Sequence, residues 1–146
     1  MDITIRDATA SDANAIVTLL DELGKPTNVD VALERLRLLA GDGGRALLAI
    51  RDDGTPVGLM TVSSHVTLHN PGPVAYITAL VTSSKARRSG AGRALVAQAI
   101  EWARYSGCSR LSVSSNLFRT EAHDFYEACG LPCSGKRFSA ALDELP

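Results

Sequence analysis

The sequence predicts an α/β (α+β) fold in one domain over residues 1–146. Three observations carry that expectation. Alternating and helical apolar periods take turns along the chain; Asp52-Asp53-Gly54 separates two apolar runs as a hairpin signal; and an apolar run, Val74 to Val81, empties into a basic, glycine-punctuated loop that opens a helical pattern. A length of 146 residues suits one core that buries roughly two thirds of the unfolded surface.

Each element follows from period and punctuation. Ile3 to Arg6 alternates as a short strand, and Ser11 or Asp12 can cap a helix carrying Ile16, Leu19, Leu20 and Leu23 on one face before Gly24. Lys25-Pro26-Thr27 turns the chain. Val29 to Ala40 forms a second amphipathic helix, with Val29, Leu33, Leu36 and Leu39 opposite Asp30, Glu34 and Arg37. Ala46 to Arg51 and Pro56 to Val66 then read as antiparallel strands across the Asp-Asp-Gly turn. A loop rich in His, Asn, Gly and Pro leads to the strand Val74 to Val81. Helix Gly92 to Ser106, strand Arg110 to Ser114, helix Thr120 to Cys129 and a closing strand Lys136 to Leu142 complete the order β-α-α-β-β-β-α-β-α-β.

Composition narrows the function classes. Fifteen basic against sixteen acidic residues give a net charge of −1, and the arginines cluster in one loop, so neither a nucleic-acid face nor an anionic-membrane face is expected. No apolar run approaches the roughly 20 residues of a membrane span, and the expected location is cytoplasmic. Cys108, Cys129 and Cys133 are an odd count without CxxC or a histidine at ligand spacing, which suggests reduced thiols and no metal site.

The loop Arg87-Arg88-Ser89-Gly90-Ala91-Gly92-Arg93 carries the chemistry. Glycines let the backbone approach a ligand, the first N–H groups of the following helix need an acceptor, and guanidinium groups fork onto phosphate oxygens. A diphosphate fits. The Walker pattern needs a Lys-Ser/Thr pair after its last glycine, and a dinucleotide loop needs a third glycine and a later acid; this chain has neither.

An arginine or glutamine, two residues, glycine, one residue and then glycine or alanine is similar to the coenzyme A pyrophosphate loop of the GNAT superfamily of N-acetyltransferases. The order of elements is also similar to that family's. A second segment resembles its late motif: Asn116, then Ala122, Tyr126 and Gly130, with Leu131 where phenylalanine is usual. The resemblance implies a central mixed, mostly antiparallel sheet flanked by helices, acetyl-CoA as cofactor, and direct acetyl transfer to the primary amine of a small molecule or peptide in a ternary complex. It implies that the strand before the loop splays from its neighbour at a bulge, its final backbone at Leu80, Val81 and Thr82 meeting the pantetheine arm. It also implies homodimers.

By the same resemblance Tyr126 is the general acid for the departing thiolate; the alternative is a half-buried packing residue on the stripe of Ala122, Phe125 and Cys129. Asn116 either bonds the cofactor arm or caps the turn before the last helix. The glutamate that many relatives carry on the strand before the loop is replaced by Thr78 and Ala79. Tyr76, Thr78, His65, His69, Glu22 and Glu34 stand as unranked candidates to order water or substrate. With that carboxylate missing, a noncatalytic acyl-CoA-binding or sensing module is the alternative function.

Overall fold

The structure, a computed structural model, describes residues 2–115 and 120–146. It falls into two compact units, residues 1–113 and 114–146, and each is taken by itself.

The first unit is built on a five-stranded mixed sheet in the order β1-β2-β3-β4-β5: β1 Ile3–Asp7, β2 Arg45–Arg51, β3 Pro56–His65, β4 Val74–Thr82 and β5 Arg110–Val113. The first four strands pair antiparallel, and β5 joins β4 in parallel after a helical crossover. The β2–β3 hairpin turns at Asp-Asp-Gly as expected. Gly54 takes φ +87, Arg51 and Thr55 close the turn by backbone bonds, and the Asp53 carboxylate accepts from the Arg51 fork and the Thr55 N–H.

Helices α1 (Ala13–Glu22) and α2 (Val29–Gly41) cover one face of this sheet. Asn28 caps α2, its Oδ1 accepting the Val31 N–H at 2.9 Å. Ile16, Leu19 and Ala32 from the helices meet Leu48, Leu59 and Val81 from the strands, so Leu59 and its cross-strand partners Leu48 and Val81 define that face. The opposite face carries α3 (Ala91–Tyr105), whose apolar stripe of Ala91, Leu95, Val96, Ala99 and Ala103 is buried. A Cβ placed on Gly58 would come 3.1 Å from Leu95 Cδ1, which shows how closely α3 lies over β3. Fully burying leucines such as Leu48, Leu59 and Leu95 contributes about 2 kcal/mol each.

Before α1 a short 3-10 turn, Ala10–Asp12, sets the entry of the helix. Asp12 accepts the Thr9 N–H at 2.7 Å and a fork from Arg6 at 2.8 and 2.9 Å. The Arg6 guanidinium, opposed by partial burial and aided by Thr9, lowers the Asp12 pKa to about 2.

The second unit contains α4 (Thr120–Ala128), ended by Gly130 at φ +94, where the Leu131 N–H returns to the Tyr126 carbonyl. The expected closing strand Lys136 to Leu142 is not formed. Residues 132–141 adopt no regular element, every one of them after Leu131 is exposed, and a 3-10 turn follows at Leu142–Glu144. Their alternation is broken by Ala140-Ala141 and flanked by Lys136 and Arg137, so there is little apolar surface to bury in return for ordering a strand.

Candidate functional site

Strand β4 owes its shape to one extra residue. Thr61 opposes Ala79 and Val62 opposes Ile77, which leaves Thr78 as a bulge with no partner of its own. Its hydroxyl turns onto Thr61, with Oγ1 to Oγ1 at 2.6 Å. On the other edge of β4 the pairing with β5 stops at the same place, Ile77 opposite Val113. Beyond it, Thr78 to Thr82 have, among the described residues, a strand neighbour on the β3 side alone.

Which backbone groups face the open side follows from the ladder. The Ser83 N–H donates to the Val57 carbonyl at 2.7 Å, so Ser83 points toward β3; alternation sends Val81 the same way. The main-chain groups of Leu80 and Thr82 therefore point away from β3. A free strand edge of this kind can pair with an amide-bearing arm as if it were a further strand.

The chain then passes a 3-10 turn, Ser84–Ala86, into the arginine loop. Gly90 is the N-cap of α3 with φ +88, a left-handed conformation costly for any residue with a Cβ. Arg88 also has positive φ, at +63, and it is the one non-glycine residue to do so among the described residues. The Ala94 N–H closes the first helical bond onto Gly90. The N–H groups of Ala91, Gly92 and Arg93 precede any intrahelical acceptor, and Ala91 is met by a long 3.4 Å contact to Ser89 Oγ. Helix donors and exposed arginines thus converge on one concave turn, suited to an anion.

An acid reaches this turn from α1. Glu22 Oε1 accepts from the Ser84 hydroxyl at 2.8 Å and from the Ser84 N–H at 3.2 Å. These two bonds, then the nearby Arg87 charge, hold the Glu22 carboxyl below its ordinary pKa. Glu22 is thus committed to anchoring the loop, and Glu34 pairs with Arg37 at 2.7 Å; neither is placed as a proton acceptor. Sequence reasoning missed the anchor because nothing local marks a contact across 62 residues.

Leu80, Val81, Thr82, Arg87, Arg88, Ser89, Gly90, Ala91, Gly92 and Arg93 are therefore brought together in the first unit. Tyr126 lies in α4 of the second unit, half-buried, with its ring 5.4 Å from Phe125 in an edge-on arrangement. Asn116 lies outside the described residues. A cavity of about 400 Å³ between α2 and the β1–β2 edge is lined by none of these residues. Among the described residues no cluster could hold a metal ion and no helix is long and apolar enough to cross a membrane.

Comparison with known proteins agrees with this geometry. The model of the acetyltransferase (GNAT) family matches residues 16–131. An aminoglycoside N(6')-acetyltransferase type 1 of Stenotrophomonas maltophilia is 35% identical over 131 residues, covering 87% of this chain and 84% of the relative. The aminoalkylphosphonate N-acetyltransferase of Salmonella typhimurium is 31% identical, covering 94% and 90%. The crystal structure of a transcriptional regulator from Bacillus halodurans superposes with a TM-score of 0.89 at 25% identity, over 97% of this chain and all of the other. A bulged strand with one open edge, running into an arginine-rich helix N-terminus and matched over most of its length to these relatives, places this chain in the GNAT family of N-acetyltransferases.

Proposed function

We propose that the two units act as one acetyltransferase domain over residues 1–146 that moves an acetyl group from acetyl-CoA to the primary amine of a small molecule, by direct transfer in a ternary complex. The family match runs through both units, which supports reading them together. The observation that carries the proposal is the placement, within about a dozen residues, of an open β4 edge and the α3 N-terminus. The spacing suits an elongated donor with amides at one end and a diphosphate at the other.

In this reading the outward N–H and C=O groups of Leu80 and Thr82, with Val81 between them, hold the pantetheine amides. An outward N–H near the bulge polarises the acetyl carbonyl as charge develops on its oxygen. Arg87, Arg88 and Arg93 supply charge to the diphosphate, while the backbone of Ser89, Gly90, Ala91 and Gly92 supplies donors. Asn116 bonds the arm, and Tyr126 protonates the departing thiolate. The acceptor is a hydrogen-bonding small-molecule amine, a class supported by the aminoglycoside and aminoalkylphosphonate acetyltransferases among the relatives.

The test pairs calorimetric titration of acetyl-CoA with thiol release on a panel of amines, including an aminoglycoside bearing a 6′-amine and an aminoalkylphosphonate. Turnover is expected on at least one of them, with a large loss of kcat in Tyr126→Phe. Tight binding without turnover on any amine would replace this reading with the acyl-CoA sensing module.

A further inference from the structure

We propose that the acceptor amine is held on a row of hydroxyls formed by Thr61, Ser63, Tyr76 and Thr78, and that its proton leaves through Ser63 to His65. This rests on the acetyl-transfer reading above.

The row is a consequence of the sheet. Leu59 faces α1, so alternation along β3 puts Thr61, Ser63 and His65 on the same face, continuing the line beyond the apolar core. Tyr76 opposes Ser63 across the ladder, and the bulge turns Thr78 onto Thr61, bringing two β4 side chains to the same strip. Ser63 is 8% exposed, and its Oγ lies 3.3 Å from His65 Nε2. The His65 ring in turn leans on Tyr76, centroids 5.6 Å apart. The strip begins at the bulge, where the β4 edge opens for the donor.

Chemistry selects His65. Neither β3 nor β4 contains an aspartate or glutamate, and His65 is the one imidazole on these strands, the side chain there suited to accept a proton from a neighbouring hydroxyl. The groups that face it are the Tyr76 phenol from β4 and, one strand farther along the Val74 pairing, Arg110 of β5. Same-face neighbours on a strand stand about 7 Å apart, so an amine or a water at the Thr61–Thr78 pair reaches Ser63 by one hydrogen bond.

The step balances. An N–H bond of the bound ammonium breaks and its proton joins Ser63 Oγ as the hydroxyl's own proton passes to His65 Nε2. The neutral amine uses its lone pair to form the C–N bond at the acetyl carbonyl, the C–S bond breaks, the thiolate takes the Tyr126 phenol proton, and the second amine proton restores that phenol. The exposed imidazolium returns the first proton to solvent.

The experiment measures kcat/KM from pH 5.5 to 9 for wild type, His65→Gln and Ser63→Ala, with acetyl-CoA and the same amine panel. His65→Gln is expected to lose about 10²-fold at pH 7 and to lose the acid limb of the wild-type profile, leaving the amine's own ionisation. Ser63→Ala is expected to lose activity in the same direction, with KM for acetyl-CoA unchanged in both. A His65→Gln profile superimposable on wild type would overturn the relay while leaving acetyl transfer standing. Absence of thiol release by wild type with every amine would overturn acetyl transfer and the relay with it.

Discussion

Replacing Glu22 by alanine removes both acceptor contacts that tie α1 to the arginine loop. The two bonds fall on one carboxylate oxygen from a single serine, at 2.8 and 3.2 Å, and Glu22 is exposed. Charge-assisted bonds are worth about 1.5–3 kcal/mol when shielded, and solvent reduces this anchor to about 0.5–1 kcal/mol. If that energy holds the loop in its binding geometry, Glu22→Ala raises the Kd for coenzyme A about two- to fivefold. Glutamine keeps a carbonyl oxygen for both Ser84 donors and should remain close to wild type. The pH dependence has a defined sign: the folded pKa is lowered, so the charge contributes above the ordinary glutamate range and its contribution is lost as pH falls through the lowered value. Calorimetric titration of coenzyme A at pH 7 into the two variants and wild type measures this without any acceptor. Equal Kd values for Glu22→Ala and wild type would refute the anchor as a determinant of binding.

Arg88→Gly relieves a left-handed arginine, worth about 1–2 kcal/mol, against about 0.5–1 kcal/mol of added unfolded-state entropy. Thermal unfolding should show a variant as stable as wild type or slightly more so, while its coenzyme A affinity falls several-fold; tighter binding would contradict the assigned role. Asp12→Asn breaks the fork from Arg6, half exposed on the arginine side, and should cost about 1–2 kcal/mol at pH 7 in urea unfolding. Because the Asp12 pKa is lowered to about 2, the difference from wild type should persist at pH 5 and shrink as pH falls from about 4 toward 2.

Local punctuation made much of the fold legible. Gly24, Gly54, Gly90, Gly107 and Gly130 all take positive φ at the turns or helix ends where the pattern calls for a stop or a bend, and element bounds moved by a residue or two. The open edge of β4 was an expectation from the family resemblance alone, whereas the loop was legible because strand, glycine spacing and helix are contiguous. The anchor at Glu22 and the hydroxyl row were not, since they depend on which strands become neighbours. Thr61 and Ser63 alternate with Met60 and Val62 in the pattern of a strand with a solvent face, yet Ser63, opposite Tyr76, is nearly covered. Positive φ at Arg88 was also unmarked, since arginine carries no turn preference of its own. The closing strand failed in the other direction: a short alternation over Phe138 to Leu142 is a pattern without a core to face.

Thr78 has a wider consequence as a slip in phase. Before it, even-numbered side chains of β4, Val74 and Tyr76, share the α1 face; after it, odd-numbered ones, Ala79 and Val81, do so. Deleting Thr78 would leave Ile77 and Ala79 consecutive, and because they already stand opposite Val62 and Thr61 on alternate faces, the ladder would become regular with every flanking side chain keeping its face. What would be lost is the Thr78 hydroxyl on Thr61 and the local bend of β4, while Tyr76 stays opposite Ser63 and Val81 opposite Leu59. One supernumerary residue therefore absorbs its own phase error at the point between the half of the strand that would meet an amine and the half that would meet a thioester, so the two faces should survive loss of Thr78, whereas a deletion away from the bulge would exchange the faces of the residues beyond it.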